Sequence, residues 1–425
     1  MTRKMKDSGI EWIGEIPEDW QTIRVKNLFD VSRGRVISKL EITDDGKYPV
    51  YSSQTENDGI FGYIDTFDYS GEALTWTTDG EKAGTVFYRN GKYNCTNICG
   101  ILEKKQDSIY KTDIKYLFYA IRMVAEENKR PDTNGHKIMS NEMERLSIPI
   151  TNYDEQVKIS LTLDEKSRNI DNTLNLIKEE IESLENYKKS VITEAVTKGL
   201  DMNVEMKDSG IEWIGEIPKH WEIIRLKYGL TEKMKYGASE EGVEFSETLP
   251  RYIRITDIDQ NGNLKSTGKQ SLPENKSVGY ILEDNTVLFA RSGATVGKTF
   301  LYKKEYGRSA YAGYLIAAKT NNIILLGIWL YYFTFSDAYY NWTRQMFSQS
   351  TIQNINAEKY SNMPLPITGI SNQLKIIDYL NKKTKLIDDS IAIKRKQLET
   401  LEEYKKSLIY EYVTGKKEVN DGEES

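Results

Sequence analysis

Histidine, cysteine and proline are all scarce in this chain, and each shortage closes off a class of function. Two histidines (His136, His220) and two cysteines (Cys95, Cys99) are too few and too scattered for a zinc site. Two cysteines build no disulfide framework, and they read as small core or strand thiols of a reducing cytoplasm. The nine prolines are never doubled, so the Asn/Asp-Pro-Pro-aromatic signature of amino-methyltransferases is missing. No apolar run approaches the roughly 20 residues of a membrane span. The longest, IILLGIWLYYFTF from Ile323 to Phe335, reads as a buried helix. The N-terminus, MTRKMKDSGIEW, has charge but no apolar core of a secretory signal. Net charge is −6, yet a whole-chain average says little about local fields, and acidic residues are dense in the helical segments and in the tail KKEVNDGEES.

Catalytic signatures are missing as well. No G-x-G-x-x-G opens a helix, no H-E-x-x-H occurs, and no serine or cysteine has a catalytic neighbourhood. ATVGKT, at 294–299, falls short of a phosphate loop. That loop requires G-x-x-x-x-G-K-[ST], whereas Ser292 stands five before Gly297 and Gly293 leaves only three spacers. A tight glycine turn between strands fits better. The chain reads as one that binds and positions.

What the sequence does contain is itself, twice. MKDSGIEWIGEIP occupies 5–17 and returns letter for letter at 206–218, and the likeness runs on through EIPEDWQTIRVKNLF (15–29) and EIPKHWEIIRLKYGL (216–230). IPITNYDEQVKI (148–159) resembles LPITGISNQLKI (365–376), and LENYKKSVITEAVT (184–197) resembles LEEYKKSLIYEYVT (401–414). The first block repeats at an offset of 201 and the second at 217, so the material between is sixteen residues longer in the second half. The order is short block, variable segment, helical block, then the same again.

The helical blocks carry an apolar seam close to a heptad: Ile170, Leu174, Ile177, Ile181, Leu184, Tyr187 and Val191, then Ile387, Ile391, Leu398, Leu401, Tyr404 and Leu408, with Lys394 where Ile177 stood. Each predicts a helix of about 40 residues, roughly 60 Å long, ending at Thr197-Lys198-Gly199 and Thr414-Gly415. A one-striped helix needs a partner. The economical one is its own copy, laid antiparallel about a pseudo-twofold axis; a globular domain or another subunit would also serve.

The variable segments read as mixed α/β domains, with short strands (YPVYSS, GTVFYRN, ICGILEK; RYIRITDI, TVLFARSG, KTFLYKK, YLIAAKT) between turn dipeptides. Helices follow near the end of each, KYLFYAIRMVAEE and IWLYYFTFSDAYYNW. LTWTTDGEKAGTVFY (74–88) can be laid on LFARSGATVGKTFLY (288–302) so that Gly80 and Gly84 meet Gly293 and Gly297. DTNGHKIMSNEMERLSIPI (132–150) lies on QSTIQNINAEKYSNMPLPI (349–367). The frame is shared and the polar decoration differs, as in two modules of one fold with different binding preferences.

KDSGIEWIGEIPEDW, a variable domain, a P-I…Q helix with YKKSVITEAVTKGLD, and the whole cycle again resemble the specificity (S) subunit of type I restriction–modification systems, from Lys6 to about Lys417. One departure stands out: the Gln of the usual Glu-Gln pair is kept as Gln156 and Gln373, but Glu155 becomes Asn372. The resemblance implies an α+β fold with two mixed α/β target recognition domains joined by two long antiparallel coiled-coil helices in a pseudo-twofold internal repeat. Its divisions would be block 1–29, recognition domain 30–147, spacer helix 148–200, block 201–230, recognition domain 231–364, spacer helix 365–417 and acidic tail 418–425. It implies a non-catalytic subunit that reads a bipartite double-stranded DNA sequence. Two methyltransferase (M) subunits would bring S-adenosylmethionine to adenine N6, and restriction (R) subunits would bring ATP and Mg; this chain itself would hold no cofactor or metal. A rival reading is a solitary adaptor that binds protein or another nucleic acid.

Base edges are read by Arg and Lys at guanine, Asn and Gln at adenine, and Ser or Thr at either. The candidate DNA contacts are therefore Ser53, Gln54, Thr77, Thr78, Lys82, Asn134, His136 and Lys137 in the first domain. In the second they are Arg291, Ser292, Thr295, Lys298, Arg344, Gln345, Gln349 and Gln353. Trp12/Trp213, Ile16/Ile217 and Trp20/Trp221 of the repeated block are expected to anchor each domain on the helical frame. The helices should act as a ruler, so that a heptad inserted after Glu182 lengthens the unread gap of the target.

Overall fold

The computed structural model describes residues 3–133, 135–259, 262–348 and 354–419, so Asn134, Gln349 and Gln353 lie outside the described residues. The chain forms two compact units, one of residues 1–177 with 396–425 and the other of residues 178–395. Two long helices, Tyr153–Thr197 and Ile370–Val413, each contribute their first part to one unit and their last part to the other.

The thirteen-letter repeat folds as a hairpin in both units. Met5–Asp7 pairs antiparallel with Glu15–Pro17, and Met206–Asp208 pairs with Glu216–Pro218. Asp7 accepts the Gly9 N–H at 2.9 Å, as Asp208 does that of Gly210. Gly9 and Gly14 take φ of +73° and +67°, a region that L side chains rarely adopt. Each hairpin then packs on the end of a long helix. In the first unit Tyr410 Oη and Lys416 Nζ donate to the Ile13 carbonyl at 2.9 and 3.1 Å, and a Cβ on Gly415 would fall 2.6 Å from Pro17 Cγ. In the second, Val191, Ile192, Ala195 and Val196 share a core with Ile214, Ile217 and Trp221. Two copies of one hairpin meet two copies of one helix end, so both sides of the contact recur in the sequence. Trp12 and Trp213 are only partly buried, while Ile16, Ile217, Trp20 and Trp221 are buried.

In the first unit, Gln21–Arg24 pairs with Ser147–Ile150 and carries the chain into the variable segment. A four-stranded sheet follows, ordered Val86–Arg89, Ala73–Thr77, Cys99–Lys104, Phe29–Arg33. A second is ordered Ile60–Ile64, Tyr48–Tyr51, Lys92–Cys95, Tyr69–Ser70, with one parallel contact between Tyr48–Tyr51 and Lys92–Cys95. Cys95 and Cys99 are buried free thiols. The helix Ile114–Glu127 shares a core with Trp20, Trp76, Ile148, Leu163 and Tyr412. The second unit repeats the plan: Glu222–Arg225 pairs with Pro364–Ile367, and one sheet runs Lys235–Tyr236, Leu315–Ala318, Val287–Ala290, Thr299–Leu301. The other runs Val243–Glu244, Gln270–Ser271, Arg251–Ile253, Ser309–Tyr311 and keeps the parallel pairing.

The apolar stretch at 323–335 is not one buried helix. Ile323 is 84% exposed in a turn closed on Asn321, and the helix spans only Gly327–Phe333. Thr334 and Ser336 then turn their hydroxyls back to the Tyr331 and Phe333 carbonyls at 2.7 Å. That local competition for backbone groups ends the helix, and Ser336 Oγ accepts the Tyr339 N–H at 3.3 Å at the start of the next, Asp337–Ser348.

The long helices run antiparallel. In the second unit Glu180 pairs with Lys394 (2.5 Å) and Lys188 with Asp388 (2.7 Å), rising numbers on one helix meeting falling numbers on the other. In the first, Asp171 pairs with Lys405 at 2.6 Å. Such exposed pairs are worth about 0.2–1 kcal/mol each, against about 1.5–3 for each buried Ile or Leu, so the pairs set register while the seam holds the helices. Ile170, Leu174, Ile177, Val191, Ile387, Ile391 and Leu408 are buried; Ile181, Leu184, Leu398 and Leu401 are half-buried. Tyr187 and Tyr404, expected on the seam, are each 51% exposed. Each stands three residues after the preceding leucine of the seam, one short of the heptad position, which the half-buried Lys188 and Lys405 fill before Val191 and Leu408 resume the stripe.

Gln156 and Gln373 are fully buried and do the same work. Each side-chain carbonyl accepts the N–H preceding the domain helix, from Asp113 and Leu326, both at 3.0 Å. Each amide donates to the start of its long helix, to Thr151 O (2.6 Å) and Thr368 O (2.7 Å). The pair thus fixes each variable domain on its helix. Their neighbours differ. Glu155 takes Arg3 Nη1 at 2.7 Å and Trp20 Nε1 at 3.1 Å, whereas the Asn372 amide donates to Thr368 Oγ1 at 3.1 Å and Trp221 Nε1 is buried with no hydrogen-bond partner among the described residues.

Candidate nucleic-acid interface

Each variable domain carries one loop on one backbone frame. Gly84 N–H donates to Thr77 O at 2.8 Å, and Gly297 N–H to Ala290 O at 3.1 Å. Thr85 N–H reaches Lys82 O at 3.3 Å, and Lys298 N–H reaches Thr295 O at 3.0 Å. A segment from later in the chain closes each loop, Ile138 N–H to Thr78 O and Ile355 N–H to Arg291 O, both at 2.9 Å. Gly84 and Gly297 both take φ of +85°, where the turn demands glycine. The braces differ behind this frame. In the second domain Tyr339 and Tyr360 donate to Gly297 O (2.7 Å) and Ala290 O (2.8 Å), and burial raises both phenols, keeping them protonated donors. In the first domain Trp76 Nε1 donates to Ile138 O at 3.0 Å.

Against this geometry the sixteen candidates separate. Thr77 and Thr78 are 1% and 2% exposed. Thr77 Oγ1 donates to Lys82 O at 2.7 Å and Thr78 Oγ1 to Ile98 O at 2.9 Å, so both brace the loop instead of facing outward. Ser53 hydrogen-bonds Asp79 and the Ile98 carbonyl, and Gln54 the Ile60 carbonyl, so these too are committed to the fold. Their residue types suited base contact; their burial and partners do not. Lys137 pairs with Asp132 at 3.3 Å, and His136, beside Gly80 in register, keeps Nδ1 buried without a partner. Lys82 is exposed at the loop.

In the second domain Lys298 and Arg344 are exposed, Ser292 and Thr295 are half-buried on the loop, and Gln345 is half-buried on the helix Asp337–Ser348. Arg291 lies with its guanidinium 5.0 Å from the Tyr236 ring centre and Nε buried. Arg291, Ser292, Thr295 and Lys298 thus come together on the glycine loop, which gives this platform a cationic side. The first platform sets Lys82 beside Glu81 and Asp79, one cation against two carboxylates.

A second turn abuts each loop. Cys99 N–H closes on Thr96 O at 2.9 Å and Leu315 N–H on Ala312 O at 2.8 Å. Its tip carbonyl accepts the loop N–H, Thr78 to Ile98 O at 3.4 Å and Arg291 to Tyr314 O at 3.1 Å. From behind, Arg35 N–H reaches Cys95 O at 3.1 Å and Ala238 N–H reaches Tyr311 O at 2.9 Å. A Cβ on Gly34 or Gly237 would come within 2.0 or 2.3 Å of those same carbonyls, so only glycine permits the approach. Cationic and hydrogen-bonding side chains on such a rigid backbone have the chemistry for docking on phosphates and base edges.

Comparisons with known proteins agree on one description. Residues 17–186 and 218–403 each match the family model for the type I restriction modification DNA specificity domain. A putative type I specificity subunit from Mycoplasma pneumoniae, S.MpnORF289P N-terminus, is 44% identical over 145 residues, 34% of this chain and 76% of that protein. Two further relatives from the same organism are matched over only 35% and 28% of their lengths. The type I restriction enzyme MjaVIII specificity subunit of Methanocaldococcus jannaschii is 24% identical over 94% of this chain and 93% of its own. A solved structure from work on complex assembly and conformational transition of the type I R-M system superposes with a TM-score of 0.65 at 13% identity, covering 94% of this chain and 98% of that one.

Proposed function

The chain belongs to the type I restriction–modification DNA specificity family, and from that membership we propose that it reads a two-part DNA target and docks methyltransferase and restriction subunits. Each recognition domain reads one block of the target, and the bases between go unread. The observation that carries this is the pair of loop-and-turn platforms, which share a backbone and differ in side chains. A shared frame with Thr78, Lys82 and Ile98 on one copy and Arg291, Thr295 and Tyr314 on the other suits two half-sequences that are not the same.

Chemistry belongs to the partners. S-adenosylmethionine, ATP and Mg are assigned to the methyltransferase and restriction subunits, and this chain contributes position alone. The second platform, richer in arginine and lysine, contributes more to phosphate contact than the first, and the remaining neutralisation falls to the methyltransferase subunits.

Selection from a randomised duplex library by the full chain, alone and with its methyltransferase subunit, tests the proposal. Two defined blocks separated by an undefined gap of fixed length are expected. Enrichment of one continuous block, or of no sequence, would contradict it and favour a solitary adaptor.

A further inference from the structure

We infer that Ile98 and Tyr314 are specificity-determining residues, each packing its side chain on a thymine methyl group in the half-target of its own domain. The inference rests on the reading of the two domains as half-site readers and names where that reading happens.

Four observations lead to it. Ile98 and Tyr314 occupy the same place in the two domains: the tip of the turn that hands its carbonyl to the glycine loop. Both are large and exposed, 38% and 65%. An exposed apolar residue taken singly means nothing, but here it recurs at one structural position in two copies whose other letters have diverged. The backbone beneath is pinned from two sides, by the loop N–H in front and by the close approach at Gly34 or Gly237 behind. A side chain on such a turn is held to the sub-ångström tolerance that base reading demands. Last, the neighbouring hydroxyls are already spent. Thr78 Oγ1 and Ser53 Oγ both donate to the Ile98 carbonyl, so these hydroxyls hold the turn, and the Ile98 side chain stands outward beside the exposed Asn97.

The chemistry then follows from the major groove. Only the thymine C5-methyl offers an apolar patch on a base edge, and apolar side chains recognise it. Ile98 has no hydrogen-bonding group and can read nothing else. Tyr314 presents a ring to the methyl, with a hydroxyl free to add an acceptor or donor at the next base.

The test uses the full chain in selection from randomised duplex DNA, comparing the wild type with Ile98→Ala, Tyr314→Ala and Tyr314→Phe. Ile109→Ala, at a residue 88% exposed elsewhere in the first domain, serves as a surface control. Ile98→Ala should erase a thymine preference at one position of one block, and Tyr314→Ala should do so in the other block. Tyr314→Phe should keep the thymine preference. Replacing that thymine by deoxyuridine should weaken wild-type binding about fourfold, the worth of one buried methyl, and should leave the alanine variant's affinity unchanged. A wild-type motif that survives both alanine substitutions, or that holds no thymine in either block, overturns the inference while the two-block reading stands. A wild type that selects no motif overturns both.

Discussion

Glu155 and Asn372 stand at one position of the repeat and answer different neighbours. Glu155 neutralises Arg3 and receives the Trp20 indole N–H; across the repeat, Arg3 becomes Val204, Asn372 has no charge to meet, and the Trp221 indole has no hydrogen-bond partner among the described residues. Glu155→Ala would strand a buried indole donor and leave Arg3 its pair with the exposed Asp19 at 3.2 Å, at a cost of about 2 kcal/mol. Asn372→Ala removes one amide–hydroxyl bond, at a cost of less than about 1 kcal/mol. Urea unfolding midpoints should rank them in that order, and an equal or reversed loss would show that the Glu155 network contributes nothing. At this scale the sequence was least legible. It marked Gln156 and Gln373 without their role, because a buried glutamine tying two backbones looks like any other in one dimension. It proposed Thr77 and Thr78 as contacts because a hydroxyl suited to a base edge is equally suited to a carbonyl. Ile98 and Tyr314 do not stand out in one dimension, because hydrogen-bonding chemistry points to polar types, and because the step from 98 to 314 is 216 while the neighbouring glycines step by 213.

The long helices were the most legible elements. Seven-residue patterning, uninterrupted by glycine or proline, predicted two helices of about 40 residues, and the helices span 45 and 44. Tyr187 and Tyr404 leave the predicted seam because they stand one residue short of the heptad position, which Lys188 and Lys405 occupy. The antiparallel pairing also refines the ruler experiment. A heptad inserted after Glu182 alone puts Lys188 and Asp388 out of register and should lower the melting temperature. A matched heptad after Ala392, opposite it, should restore stability and lengthen the unread gap by about three base pairs, at about 10 Å per heptad. Target mapping that returns the original gap with the doubly lengthened chain would rule out the helices as the ruler. Strand order, by contrast, could not be read. The sheets bring together Phe29–Arg33 and Cys99–Lys104, some seventy residues apart, and no local pattern announces such a pairing.

For the whole molecule, duplication is the argument. Each hairpin clasps a helix end, each buried glutamine ties a domain to its helix, and each glycine loop rests on the same hydrogen bonds. The two halves differ throughout their variable segments, and the loop-and-turn platforms set those differences on one shared backbone. If each platform reads its own block, recognition is modular. The most direct measurement is a methylome map of cells expressing this chain with its methyltransferase subunit, beside cells in which residues 231–364 are exchanged for a homologous domain. A two-part motif in which the exchange rewrites one block and leaves the other block and the gap intact is the predicted result. A motif in which both blocks change together, or in which methylation marks one continuous sequence, would contradict the account.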